Sequence, residues 1–223
     1  MIPLRDTIPS RSTPVVTVLI IVTNVVVFLY MLSLDPYSQN HFIRQFALVP
    51  AHLNLQALVT SLFLHGGWLH LIGNMWFLWV YGDNVEDVLG HGKYLLFYLL
   101  CGVIASSAQY AINPDSQIPV LGASGAIAGV MGAYLIKFPH ARILTLIPII
   151  IFWTTIEIPA VIILVYWFVL QFFSGIGSIG YSQAASQGGV AFFAHIGGFI
   201  AGMILVAAMG TKERYSRRRD LQW

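Results

Sequence analysis

The sequence predicts an all-α, polytopic membrane protein, a bundle of six transmembrane helices. Three observations predict it. Hydrophobic residues make up 57% of the 223-residue chain and charged residues only 9%, against roughly 25% charged in soluble domains. Uncharged apolar runs recur at Pro14–Leu34, Gln45–Gly82, Tyr94–Ile112, Ser116–Ile136 and Ile158–Gly210, and a helix needs about 20 such residues to cross a bilayer. The basic residues also partition: with six spans, Arg5, Arg11, Lys93, Lys137, Arg142, Lys212, Arg214, Arg217, Arg218 and Arg219 share one side and only Arg44 takes the other. A seventh span would move the basic tail across the membrane and break that asymmetry.

The spans fall at roughly 14–34, 66–83, 93–112, 122–138, 157–173 and 190–210. The first is too long for a signal-peptide core and no A-x-A site follows it, so it is expected to remain as a membrane helix. Leu48–His65 is apolar but irregular and reads as an interfacial or re-entrant stretch. Asp83, Glu86, Asp87, His91 and Lys93 read as a polar turn between the second and third spans. Ile143–Ile156 is apolar, but it is short and interrupted by Pro148, so it is not counted as a span. Ser174–Gly189 is uncharged and glycine-rich and reads as a loop. The chain thus divides into a cytoplasmic N-terminal segment (1–13), a six-helix membrane domain (14–210) and a basic cytoplasmic tail (211–223) that anchors topology and can meet anionic lipid heads. Glu157 falls near the inner end of the fifth span and reads as interfacial. Cys101 is the single cysteine, so no intramolecular disulfide forms, and its mid-span place suits a small apolar residue. A basic tail without a basic folded surface argues against nucleic-acid binding.

Polar groups inside apolar spans are costly and usually mark function. Ser124 opens the fourth span within Gly122-Ala123-Ser124-Gly125, and His195 lies near the start of the sixth. His70 and Asn74, spaced i,i+4, share a face of the second. All four fall within about two turns of the same membrane face, a few to about 10 Å deep at 1.5 Å per residue. A hydroxyl and an imidazole suit a nucleophile and its base. A serine at a helix start meets free N–H groups and a dipole favouring negative charge. Gly122 and Gly125 permit close approach of a carbonyl or a helix. Gly125, Gly129 and Ala133 form one small-residue stripe and Ala194, Gly198 and Gly202 another, so the two spans can pack closely and bring Ser124 to His195. His70 and Asn74 can donate hydrogen bonds to an oxyanion.

No lysine lies in an uncharged span, and no Asp or Glu is placed to orient the imidazole. A Ser–His dyad is therefore expected rather than a triad. His65, His70 and His195 lack an accompanying carboxylate or H-E-x-x-H spacing, so neither metal nor cofactor is expected. Asn24, Ser106, Ser107, Gln109 and Gln171 read as interhelical hydrogen-bonding groups. A transporter would set its polar groups at the midplane, often in repeated halves, and a scaffold gives no reason for their shared depth.

His65-Gly66-Gly67-Trp68-Leu69-His70-Leu71-Ile72-Gly73-Asn74-Met75, Gly122-Ala123-Ser124-Gly125-Ala126 and Ala194-His195-Ile196-Gly197-Gly198 together resemble the rhomboid family of intramembrane serine proteases, over roughly Ala47 to Gly210. The resemblance implies Ser124 as nucleophile, His195 as general base, and His70, Asn74 and the Ser124 backbone N–H as an oxyanion hole. It further implies that Ser174–Gly189 caps the site, that the fifth helix near Tyr166–Phe173 flanks substrate entry, and that Asn113–Val120 lies along the bound peptide. Two positions depart from the family pattern. The Trp-Arg pair of the first loop is replaced by Arg44-Gln45-Phe46. The aromatic one turn after the serine is Ala128, so some other side chain must orient His195, and a Phe or Trp of another helix is one candidate for it. A client-binding relative without catalysis would not need both Ser124 and His195. The expected partners are transmembrane protein substrates and lipids, in a bacterial cytoplasmic membrane with both termini cytoplasmic.

Overall fold

A computed structural model of the chain describes residues 2–149, 152–178 and 191–211. The expected capping loop, Ser174–Gly189, begins as helix instead, its residues 174–178 continuing the last turns of the helix over Ala160–Ser178; its remaining residues and the basic tail from Lys212 lie outside the described residues. The six expected membrane helices are present as α1 (Val15–Ser33), α4 (Trp68–Leu89), α5 (His91–Ile112), α6 (Ser124–Lys137), α7 (Ala160–Ser178) and α8 (Phe192–Ala208). Of these, α1, α5 and α7 are long and apolar enough to cross a bilayer, and α6 and α8 are shorter apolar helices. Between α1 and α4 come α2 (Pro36–Phe46), the short α3 (Ala57–Thr60) and two 3-10 turns. The short α3 and the 3-10 turns fall within Leu48–His65, the irregular stretch expected before the second span, whereas α2 lies ahead of it and was not anticipated.

Helix α6 is the axis of the bundle. Every residue from Gly125 to Tyr134 is buried, which only a surround of other helices can achieve. Its face toward α8 is made of the anticipated small residues. A Cβ at Gly198 would collide with the Gly125 carbonyl, and one at Gly202 with the Gly129 carbonyl. Gly132, outside the stripe, touches the Phe199 carbonyl in the same way. The two backbones are in direct contact, as small-residue stripes allow in membranes.

At 14 residues and 1.5 Å per residue, α6 is about 21 Å long, short of a hydrocarbon core about 30 Å thick. The chain just before Ser124 is non-helical backbone, half-buried from Ile118 to Gly122, and such backbone at membrane depth is tolerated where protein takes its polar groups. At three points it does: Leu48 and Val120 exchange hydrogen bonds of 3.0 and 2.7 Å, the Ala51 N–H reaches the Ser116 carbonyl at 3.0 Å, and the Gly122 N–H reaches the Ser61 carbonyl at 2.9 Å.

The loop lacking the Trp-Arg pair docks by apolar contacts. Asp35 caps α2 by accepting from the Tyr37 and Ser38 N–H groups. Phe42, Ile43 and Phe46 then pack over Met31, Ala47, Leu64 and Leu121.

At the opposite end the helices are joined by a three-stranded antiparallel sheet absent from the sequence expectation. Its order is β1 (Ile2–Asp6), β2 (Arg142–Ile149), β3 (Phe152–Pro159). The stretch left uncounted as a span is thus a hairpin. Its β-branched content, with Ile143, Thr145 and Ile147 on one strand and Thr154, Thr155, Ile156 and Ile158 on the other, suits pleated backbone better than a helix. Glu157 lies on β3, not in the fifth helix, and pairs with Arg142 at 3.4 Å on an exposed surface. Residues set apart as an N-terminal segment supply β1, and the Trp76 indole donates to the Pro3 carbonyl.

The acidic turn also differs from expectation. Helix α4 continues to Leu89 and ends at Gly90, whose φ of +78° suits glycine. Asp83, Glu86 and Asp87 are consequently helical. The Glu86 carboxylate, with a fully buried side chain, accepts from the Val16 and Thr17 N–H groups at 2.8 Å and from the Thr17 hydroxyl at 2.7 Å. Helix α1 has no cap of its own, so a neighbouring helix provides one. Asp87 accepts from the Ser12 hydroxyl at 2.6 Å. Lys93 donates to the Met209 and Gly210 carbonyls, closing the C-terminus of α8.

Candidate active site

Gly122 turns the chain into α6 with a φ of +124°, a conformation that glycine adopts without penalty. Ser124 follows as the first residue of the helix, and among the described residues no side chain caps that start. The N–H groups of a first helical turn have no intrahelical partner. Ser124 is half-buried while its neighbours Ala123 and Gly125 are buried.

Close packing of α8 on α6 delivers the histidine. Ser124 Oγ lies 2.7 Å from His195 Nε2. His195 is itself buried, and the Ala194 N–H beside it is held by Gln109 Oε1 of α5 at 3.3 Å. Opposite them, α4 presents His70 and Asn74 on one face, as their spacing requires. A Cβ at Gly122 would stand 2.7 Å from His70 Nε2 and 3.6 Å from Asn74 Nδ2. The glycine therefore makes room for the imidazole. Asn74 Nδ2 is fixed by buried His65, whose Nε2 is 2.9 Å away, and the His65 and His70 rings meet edge to face at 5.1 Å.

Ser124, His195, His70 and Asn74 all line one cavity of about 220 Å³. Leu69, Gly73, Phe77, Ile127, Met131 and Trp167 complete its wall, so a few convergent polar groups stand in apolar surroundings, the usual composition of a binding site. The sequence reading placed these four at one depth, and the structure brings all four together. Gly125 has a different part. A Cβ there would stand 2.6 Å from Ala105 Cβ, so this glycine serves helix packing rather than access to the cavity.

Two residues beside His195 come from α7. The Trp167 ring packs at a tilt beside the imidazole, with centroids 5.7 Å apart and planes 35° apart, and supplies from another helix the aromatic that Ala128 does not. Gln171 Oε1 lies 2.7 Å from His195 Nδ1. Gln171 was read only as an interhelical bonding group. The missed signal was its position one turn after Trp167, which puts both on one face of an otherwise apolar helix.

The rhomboid-domain family model matches residues 52–212, more than half of the chain. Among curated relatives, the Rhomboid protease GluP of Bacillus subtilis is 33% identical over 153 residues, covering 69% of this chain and 26% of that protein. The bovine Presenilin-associated rhomboid-like protein, mitochondrial, is 33% identical over 120 residues, covering 52% of this chain and 32% of its own. The Putative rhomboid protease YdcA of Bacillus subtilis is 37% identical over 78 residues, covering 35% of this chain and 39% of that protein. The chain spans about a third of the length of the relatives it matches, between 26% and 39% in these three. With its apolar helices, its domain match and the grouping of the three motifs around one cavity, the chain is a polytopic membrane protein of the rhomboid family.

Proposed function

We propose that the protein is an intramembrane serine endopeptidase that cleaves membrane-anchored proteins near the outer end of their transmembrane helix by a Ser–His dyad. The observation that carries this reading is the 2.7 Å contact between Ser124 Oγ and His195 Nε2, formed in a cavity shared with His70 and Asn74. Ser124 Oγ attacks the scissile carbonyl carbon as its proton passes to Nε2. The resulting oxyanion accepts hydrogen bonds from His70, Asn74 and the Ser124 N–H, donors already in place before charge develops. Collapse expels the amine, which takes the proton from the imidazolium, and leaves an ester on Ser124. Water, deprotonated by His195, hydrolyses that ester and restores the serine.

A helical peptide bond is shielded, so the substrate must unwind locally. Small or helix-breaking residues near its cleavage site are expected. The site lies at the end of the bundle away from the sheet, where Arg5, Arg11, Lys93, Lys137 and Arg142 gather. The positive-inside rule then assigns the sheet and both termini to the cytoplasmic side of a bacterial membrane and the site to the outer half. The test is labelling of detergent-solubilised protein with a fluorophosphonate, alongside cleavage of a reporter transmembrane segment in liposomes. Wild type should label and cleave, and Ser124→Ala and His195→Ala should do neither. A folded wild type that neither labels nor cleaves would overturn the protease reading in favour of client binding without catalysis.

A further inference from the structure

We infer that Gln171 is a positioning residue for the base: its carboxamide oxygen takes the Nδ1 proton of His195 and so points the Nε2 lone pair at Ser124. This rests on the reading of Ser124 and His195 as nucleophile and base. A neutral imidazole has one donor and one acceptor nitrogen. To take the serine proton, Nε2 must be the acceptor, so Nδ1 must carry the hydrogen, and that hydrogen needs a partner in a buried place. Gln171 Oε1 stands 2.7 Å from Nδ1, the same distance as Ser124 Oγ from Nε2 on the other side of the ring. With the amide turned the other way, its NH₂ would donate to Nδ1. The proton would then sit on Nε2, where the ring could donate to Ser124 but not accept from it.

Gln171 does not act alone on the ring. Trp167, four residues earlier on α7, faces the imidazole with its plane 35° away, limiting the ring's tilt while Gln171 limits its rotation. Both supports thus come from one turn of one helix. A neutral amide is well matched to this place in an apolar bundle, since it fixes the tautomer without adding a second buried charge.

The test combines nitrogen-15 NMR of histidine-labelled protein in nanodiscs with steady-state cleavage kinetics. The His195 signal, assigned by its loss in His195→Ala, should report the Nδ1–H tautomer in wild type. Gln171→Leu should lose that preference and lower kcat on the order of 10- to 100-fold, below the general-base effect itself, with KM held within about twofold. Gln171→Glu, which keeps an acceptor oxygen at the same reach, should restore both, a rescue that a merely space-filling role would not produce. An Nε2–H tautomer in wild type, or a folded Gln171→Leu protein with unchanged tautomer and kcat, would overturn the inference. A tautomer set by Gln171 in a protein that neither labels nor cleaves would support the hydrogen bond and overturn the catalytic reading beneath it.

Discussion

The two ends of the bundle are both rich in polar side chains, and they use them in opposite ways. At the sheet end, polar side chains are spent on structure. Glu86 covers the first N–H groups of α1, Lys93 covers the last carbonyls of α8, and Asp6 bonds to Asn84 and Tyr134. At the other end, Ser124, His195 and Gln171 are linked side chain to side chain, and His70 and Asn74 face an open cavity. The difference supplies a criterion: a polar group saturated away from the cavity, by backbone or by side chains, serves the fold, whereas one linked to other side chains beside the cavity is available for chemistry.

The criterion predicts that variants at one end cost rate and variants at the other cost stability. The largest expected effect is at the site. Asn74→Ala removes a donor aimed at the oxyanion and should lower kcat by about 10²–10³. The bond it loses leaves one buried nitrogen of His65 without its partner, roughly 1–3 kcal/mol to the fold, small beside the expected loss of rate. Reporter cleavage beside thermal unfolding in detergent separates the two. Loss of both together, in proportion, would break the distinction between the ends.

The sheet end should show the reverse. Glu86→Ala strips the cap from α1 and leaves two N–H groups and the Thr17 hydroxyl without their buried acceptor. At roughly 1–3 kcal/mol for each buried group left unsatisfied, partly relieved by relaxation, a loss of about 3 kcal/mol in unfolding free energy is expected. Cleavage per folded molecule should stay within about twofold of wild type, because the cavity is built from other residues. A large fall in kcat with no fall in stability would mean the two ends are coupled through α4.

How far each end was legible follows from the same contrast. The six helices were visible because uncharged apolar runs mark spans and the partition of basic residues fixed their number. The pairing of α6 with α8 was visible because Gly125, Gly129, Gly198 and Gly202 recur at helical spacing. Ser124, His195, His70 and Asn74 stood out as costly residues in apolar runs, and their shared depth followed from counting turns. Gln171 did not stand out from the other interhelical polar residues: its place one turn after Trp167 puts the two on one helix face, but only the fold brings that face to Nδ1 of His195. The sheet was missed because a short run of Ile, Thr and Pro carries no period that separates strand from buried helix. Glu86 and Asp87 were misplaced for a different reason. Charges near a span's end look like a turn unless the partner they cap, some 70 residues earlier in the chain, is known.

The smallest expected effect sharpens the comparison at the sheet end itself. Burial pushes the Asp6 carboxyl up to about 6 from an ordinary 3.8, the charge of Asp83 adds to that, and the hydrogen bond from Tyr134 opposes it. An acid raised in this way is protonated more readily folded than unfolded. Its contribution to stability is therefore full below pH 3.8 and is lost as the pH rises through about 6. The folded protein should gain stability on acidification from pH 7 to pH 5, seen as a higher unfolding midpoint in detergent, by an amount reduced by the partial solvent access of Asp6. Asp6→Asn keeps an acceptor oxygen for the Tyr134 hydroxyl and removes the titration, so it should flatten that slope and stabilise the protein at pH 7. Cleavage per folded molecule should not change, since Asp6 and Ser124 stand at opposite ends of α6. An unaltered slope in Asp6→Asn would assign the pH dependence to another group, and a changed cleavage rate would show that the anchoring of β1 reaches the nucleophile through that helix.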